Sequence, residues 1–196
     1  MIVLALLLLL SPLIGTILLL LFQKSSRDIT SLISNVSILI SFLLSFFLLY
    51  LFYVENLGAL SANILTFADI DLFSLYFGLY IDSLSLIMCC VVTSVSLLVH
   101  YYSISYMKDD ASFNRFFVYT NFFTFSMLLI VLSNNFLQLF IGWELVGLSS
   151  YLLIGFWLNK DSAIKANYKA FLVNRVGDVG LLLGLCLILL TYNTTD

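Results

Sequence analysis

Apolar residues run almost unbroken along this chain, interrupted at intervals by short polar clusters. Six segments stand out: 1–22, 30–54, 82–105, 115–133, 136–158 and 166–192. Crossing a hydrocarbon core of about 30 Å takes roughly 20 helical residues, so each segment is long enough to span a membrane or nearly so. The predicted fold class is all-α, a polytopic bundle of about six transmembrane helices. Residues 1–54 supply two N-terminal helices, 55–81 a loop, 82–105 a third helix and 115–192 helices four to six. The 55–81 connection is itself fairly apolar and carries Gly58, Asp69, Asp71 and Gly78, which predicts an ordered surface or re-entrant loop. Pro12 predicts a kink in the first helix, a break that membrane helices tolerate.

Composition closes off the alternatives. The chain is 62% hydrophobic and 10% charged with a single proline, and its mean hydropathy is +1.12. These values exclude a soluble domain with a polar surface and imply an integral membrane protein in contact with membrane lipids. The first segment has neither a basic leader nor a small-residue cleavage site, so it reads as a mature helix. A net charge of -3 with no basic patch gives no reason to expect a nucleic-acid partner.

The few basic residues predict an orientation, because Lys and Arg collect on the cytoplasm-like, negative (N) side of a membrane. Lys24 and Arg27 separate helices one and two, Lys108 and Arg115 separate three and four, and Lys160 and Lys165 separate five and six. Connections 55–81 and 134–135, and both chain ends, carry neither residue. Both termini and the 55–81 loop are therefore expected on the positive (P) side.

Candidate chemistry is confined to a few side chains. Cys89, Cys90 and Cys186 have no metal-ligand spacing and read as apolar fillers, so no metal site is expected. No phosphate-binding loop, dinucleotide fingerprint or nucleophile triad is present. The N-x-[S/T] matches at Asn35 and Asn193 are short patterns of the kind that arise by chance.

Charges inside the apolar segments carry more information, because an ionisable group at the bilayer centre costs about 2.5–3.5 kcal/mol and normally faces the bundle interior with a partner. Glu144 is the ninth residue of 136–158, on the order of 12 Å in from its P-side end, near the midplane. Gly147, Leu148, Tyr151 and Gly155 share its face, and the glycines predict close approach of a neighbouring helix. Trp143 is expected to point elsewhere. A carboxyl held between burial and a nearby cation can exchange a proton near neutral pH, which suits a relay; the same residue could instead hydrogen-bond a neighbour statically.

Arg175 and Asp178, three apart, share a face of the last helix and can pair with each other while reaching helix five. That pair fits a static bridge as well as a charge switch. Lys169 is nine residues from Asp178, about half a turn out of phase, and can reach toward the N side with Lys165. Gly180 and Gly184 make a G-x-x-x-G spacing that predicts helix packing. His100 lies about two turns from the N-side end of helix three and reads first as a packed residue, second as a relay member. Asp82, opening the same helix, reads first as a cap.

The runs "LFIGWELVGLSSYLLIGFW" and "AIKANYKAFLVNRVGDVGLLLGL", with "YIDSLSLIMCCVVTSVSLLVHYYSISYM" upstream, resemble the chain 5 family of proton-pumping NADH:ubiquinone oxidoreductase, respiratory complex I. The resemblance covers about 80–192, whereas 1–54 matches only as hydrophobic spans. It implies an antiporter-like subunit built on two inverted repeats. In that setting Glu144 is the helix-five glutamate that pairs with a lysine on a broken seventh helix, and Arg175 and Asp178 are the charged helix-six positions. Lys169, His100 and Asp82 stand behind these three as further candidates.

The implied function is proton translocation in the membrane arm of a complex that uses NADH, FMN, iron-sulfur clusters and ubiquinone, none of them bound by this chain. The implied setting is the mitochondrial inner membrane, or a bacterial plasma membrane, among other membrane-arm subunits. Family members are much longer and continue into a seventh helix. The sequence therefore reads as the N-terminal part of a split chain 5, with the remainder and the partner lysine on a companion polypeptide. A multi-subunit cation/proton antiporter and a structural subunit with static buried charges are the rival readings.

Overall fold

A computed structural model describes residues 1–22, 26–56, 58–70 and 73–192. Lys24, Asp71 and Asn193, used above, lie outside the described residues. The element order is α1 (Ile2–Leu21), α2 (Arg27–Val54), β1 (Leu60–Ile70), β2 (Phe73–Ile81), α3 (Ser83–Tyr106), α4 (Phe113–Val131), α5 (Phe136–Ile154) and α6 (Asp161–Tyr192).

Five of the six helices are long and apolar enough to cross a membrane; α4 is the exception. Asn114, Arg115 and Asn121 lower its hydropathy, and its position explains why they can: α4 packs against α1, α2, α3 and α5. A helix surrounded by helices needs less apolar surface than one facing lipid. α6, by contrast, packs mainly on α5, and the described residues leave most of its surface uncovered.

The predicted loop at 55–81 is a correction. It folds as an antiparallel hairpin, β1 on β2, registered from Leu60 opposite Ile81 to Ile70 opposite Phe73, with irregularities after Asn63 and Thr66. The segment "FSLYFGLYI" is rich in aromatic residues, which suit a pleated, half-buried surface. Leu79 and Ile81 are fully buried while Tyr80 between them is exposed, the two-residue period of a strand. The hairpin docks on the α4–α5 turn. Tyr80 N–H donates to the Leu132 carbonyl (3.0 Å), Gly78 N–H to Gln138 Oε1 (3.0 Å), and the Asn135 amide to the Tyr76 carbonyl (2.9 Å). These bonds satisfy backbone groups that a bare edge would leave exposed.

Two apolar clusters bracket the bundle. At the hairpin end, Leu8, Leu9, Leu48, Leu79, Ile81 and Leu128 are among the buried residues; at the other, Leu19, Met107, Phe113 and Phe117 are. Between them the helices meet through hydroxyls and amides. Thr30, Ser34, Ser37, Ser41 and Ser45 form one buried stripe along α2, three or four residues apart. Ser41 reaches Ser11 of α1 (2.5 Å), Ser45 reaches Thr93 of α3 (2.9 Å), and the Asn121 amide of α4 donates to Ser34 (2.7 Å).

One of these contacts repairs the helix break at Pro12. Proline has no N–H to give the carbonyl four residues earlier, that of Leu8. Ser41 Oγ donates to that carbonyl instead (3.0 Å), while Ser11 Oγ donates to Ser41 Oγ (2.5 Å). α1 and α2 approach closely here, since a Cβ at Gly15 would strike Ser37. α5 is seated on α4 in the same way: a Cβ at Gly142 would fall 2.8 Å from Ile130 Cγ1 and 3.1 Å from its backbone nitrogen.

At the end opposite the hairpin, the basic connections are tied together. Arg27 donates to the carbonyls of Lys108 and Asp110, Arg115 donates to the Phe156 carbonyl, and Trp157 donates to Asp110. Lys160 sits over the Trp157 ring, 4.1 Å from its centroid. Positive groups from three separate connections therefore gather at one end of the bundle.

Candidate proton-transfer site

α5 and α6 meet along a face that brings the three principal candidates together. Arg175 Nη1 lies 2.5 Å from Glu144 Oε2 and 3.7 Å from Asp178 Oδ2. The contact between helices is thus shorter than the pair three residues apart within α6. Side-chain exposure falls from 47% at Arg175 through 26% at Glu144 to 10% at Asp178. The acid ends are withdrawn while the guanidinium stands at the open edge, on a side the described residues do not cover.

The guanidinium also lies against the Phe171 ring, 5.2 Å from its centroid, and Phe171 packs on Tyr151 of α5 at 5.4 Å. These rings fix where the arginine stem can lie and leave the head free to favour either acid. Asp178 keeps a second partner, the Trp143 indole N–H, which donates to its Oδ1 at 3.0 Å.

Trp143 is a second correction. Neighbouring residues on a helix are about 100° apart, so Trp143 and Glu144 straddle the line of contact with α6 and both reach it. Trp143 was expected to point elsewhere; its indole instead reaches Asp178 across the interface. The glycines are a third. A Cβ at Gly147, Gly180 or Gly184 would meet nothing within 4 Å, so the packing expected of them is not made among the described residues. At Gly155, by contrast, a Cβ would strike the side chain of Asn167.

The further candidates lie elsewhere. Lys169 is exposed on α6 and pairs with no acid among the described residues. Asp82 caps α3 through a reciprocal box: it accepts from Ser85 N–H (2.7 Å), and its own N–H donates to Ser85 Oγ (2.9 Å). His100 is buried between α3 and α4, its Nδ1 on the Ser96 carbonyl at 2.7 Å and its ring 6.0 Å from that of Phe117. Among the described residues no three His, Cys, Asp or Glu side chains gather as metal ligands. A cleft of about 520 Å³ opens at the basic end beside Arg27 and Arg115, and none of its lining residues belongs to the Glu144 cluster.

Two family models match in tandem. Residues 67–117 match the complex I chain 5 N-terminus, and residues 133–196 match the NADH:quinone oxidoreductase/Mrp antiporter transmembrane family. NADH-quinone oxidoreductase subunit L of Neisseria meningitidis is 44% identical over 180 residues, 91% of this chain and 27% of that protein. NADH-ubiquinone oxidoreductase chain 5 of Allomyces macrogynus is 45% identical over 171 residues, 85% of this chain and 26% of that protein. The Arabidopsis thaliana chain 5 is 49% identical over 147 residues, 74% of this chain and 22% of that protein.

A solved archaeal respiratory membrane complex, the membrane-bound sulfane sulfur reductase, contains a chain of the same fold. It has a TM-score of 0.81 at 17% identity and covers 96% of this chain and 37% of that one. The chain thus spans about a quarter of the length of the curated relatives it matches. Its apolar helices, its ordered motifs and its two consecutive family matches agree, and the chain belongs to the chain 5 family of complex I, the antiporter-like membrane subunits.

Proposed function

We propose that residues 1–196 provide the glutamate half of a proton-transfer site in the membrane arm of a proton-pumping NADH:quinone oxidoreductase. The observation that carries this reading is the Glu144–Arg175–Asp178 cluster, set within two apolar helices and open on one side. Arg175 has two acids within reach and one positive charge. When the guanidinium moves toward Asp178, Glu144 loses its cation and becomes the better proton acceptor; when it returns, the proton is released. A lysine from a helix outside residues 1–196, on this polypeptide or a companion one, would occupy the open side and compete with Arg175 for Glu144.

Moving one charge against 100 mV costs about 2.3 kcal/mol, and the side chains of this chain supply no redox energy. The drive must come from electron transfer elsewhere in the complex, among its NADH, FMN, iron-sulfur and ubiquinone sites, coupled through a change in the pairing of these charges. In this reading the chain is a subunit of an H+-translocating NADH:ubiquinone reductase with no redox centre of its own. It lies in the mitochondrial inner membrane, with the basic end of the bundle on the N side and both termini on the P side. Other membrane-arm subunits and lipids surround it.

Glu144→Gln in the assembled complex keeps the shape and a hydrogen-bonding head but removes the exchangeable proton. It should abolish most pumping per NADH oxidised and leave assembly intact. Normal coupling in that variant would rule the relay out, and loss of assembly with normal coupling in the surviving complex would identify the acid as structural. The transmembrane family match also includes Mrp antiporters, which supports a second reading as a cation/proton antiporter subunit. Sodium-dependent transport without a redox partner would select it.

A further inference from the structure

The outer surface between α2 and α3, away from the Glu144 cluster, carries two cavities that meet at Tyr101. The first, of about 460 Å³, opens at the basic end of the bundle, with Arg27, Asp28 and Lys108 in its lining. The second, of about 360 Å³, runs deeper between the helices, walled by Val36 and Leu39 of α2 and by Leu97 and Leu98 of α3. The Asn35 amide there turns back to donate to the Ser31 carbonyl of its own helix (2.8 Å), so the deeper groove presents apolar surface.

The dimensions fit one leaflet of a membrane. From Arg27 to Leu39, α2 rises about 18 Å at 1.5 Å per residue, against about 15 Å for half of a hydrocarbon core. α3 runs the other way and keeps pace, with Lys108 just past its end and Leu97 deep in the bundle. Tyr101, 75% exposed, stands where the charged and apolar parts meet, the level at which membrane proteins place amphipathic rings.

The charges in the upper cavity are complementary to a headgroup. Arg27 donates to the carbonyls of Lys108 and Asp110, which fixes its guanidinium beside the Lys108 turn. Carbonyls leave its charge whole, and a guanidinium has five N–H donors, more than these bonds use. The nearby Asp110 carboxylate is turned to the Ser112 N–H and the Trp157 indole. Among the described residues neither Arg27, Lys108 nor Asp28 forms an ion pair. Two cations and one carboxylate around one pocket match a phosphate joined to an amine. A protein helix laid over them would bury all three charges at a desolvation cost, whereas a phospholipid brings a counter-charge for each.

We propose that the α2–α3 groove binds one amine-bearing phospholipid from the leaflet at the basic end. Its phosphate lies on Arg27 and Lys108, its ammonium on Asp28, and an acyl chain along Val36, Leu39, Leu97 and Leu98. Held there, it ties the start of α2 to the α3–α4 connection.

The test uses the assembled complex in phosphatidylcholine vesicles containing a trace of phosphatidylethanolamine with a photoreactive acyl chain. Illumination should label the groove walls around residues 36–39 and 97–101. Excess unlabelled phosphatidylethanolamine should suppress that labelling severalfold, and the same excess of phosphatidylglycerol should not. Arg27→Gln should lower labelling severalfold, and so should Lys108→Gln, at an exposed side chain in no ion pair, should the arginine variant fail to assemble. Asp28→Asn should remove the preference for the amine-bearing lipid. Equal labelling in Lys108→Gln, or equal competition by both lipids, would identify an adventitious lipid contact only and overturn the proposal. So would an unlabelled groove covered by a helix of another subunit. Glu144→Gln should label as the native complex does, so that this site and the proton-transfer site fail separately.

Discussion

At the scale of single residues, the proposed chemistry rests on how one guanidinium is shared. Arg175 touches Glu144 and lies 3.7 Å from Asp178, and the Trp143 indole holds the second acid in place. Trp143→Phe keeps the ring but removes the donor. It should cost about 0.5–1.5 kcal/mol, the net worth of one hydrogen bond, read as a lowered unfolding temperature of the complex. It should also leave Asp178 freer to capture Arg175 and so change pumping, whereas Tyr151→Phe, which keeps the contact with Phe171, should change neither. Glu144, Arg175 and Asp178 were legible in the sequence because a charge inside an apolar run is expensive wherever it points. Trp143 was not, since its role depends on how α5 is rotated against α6, and an aromatic in an apolar helix carries no such cost to betray it.

The helices and the hairpin make their own demands. Ser41 completes the hydrogen bonding that Pro12 interrupts in α1, so Ser41→Ala should destabilise the α1–α2 pair by about 0.6 kcal/mol, and at most about 1.7, as interhelical bonds in membranes do. Gly142→Val drives a branched side chain into the Ile130 backbone and should cost about 1–3 kcal/mol, read as loss of assembled subunit.

The α3–α4 connection responds to acid. Asp110 accepts from the Ser112 N–H and from the Trp157 indole, which hold its carboxyl below the usual carboxylate range. A carboxyl depressed in the folded protein adds stability above its unfolded value near 3.9 and loses it as pH falls through the folded value. Trp157 emission should therefore shift only in that acid window, and Asp110→Asn should remove the shift; screening by solvent keeps the effect small. Helix positions were legible from apolar length alone. The hairpin was not, because its runs are as apolar as a helix and only the aromatic enrichment of its second strand separates the two.

Across the whole molecule, the bundle divides its labour. α1 to α4 form a closed packing around a polar layer, and α5 and α6 carry the charge cluster on a side that stays open among the described residues. Arg27, Arg115 and Lys160, from the three basic connections, meet at one end through carbonyls and rings. What faces the open side of Arg175 was not legible in the pattern of residues; only the family resemblance implied a lysine there. The most direct measurement is infrared difference spectroscopy of the assembled complex during NADH oxidation, comparing the native protein with Glu144→Gln. A protonated-carboxyl band that rises and falls with turnover and vanishes in Glu144→Gln is the predicted result. An unchanged band in that variant, or no carboxyl band at all in the native complex, would contradict proton exchange at Glu144.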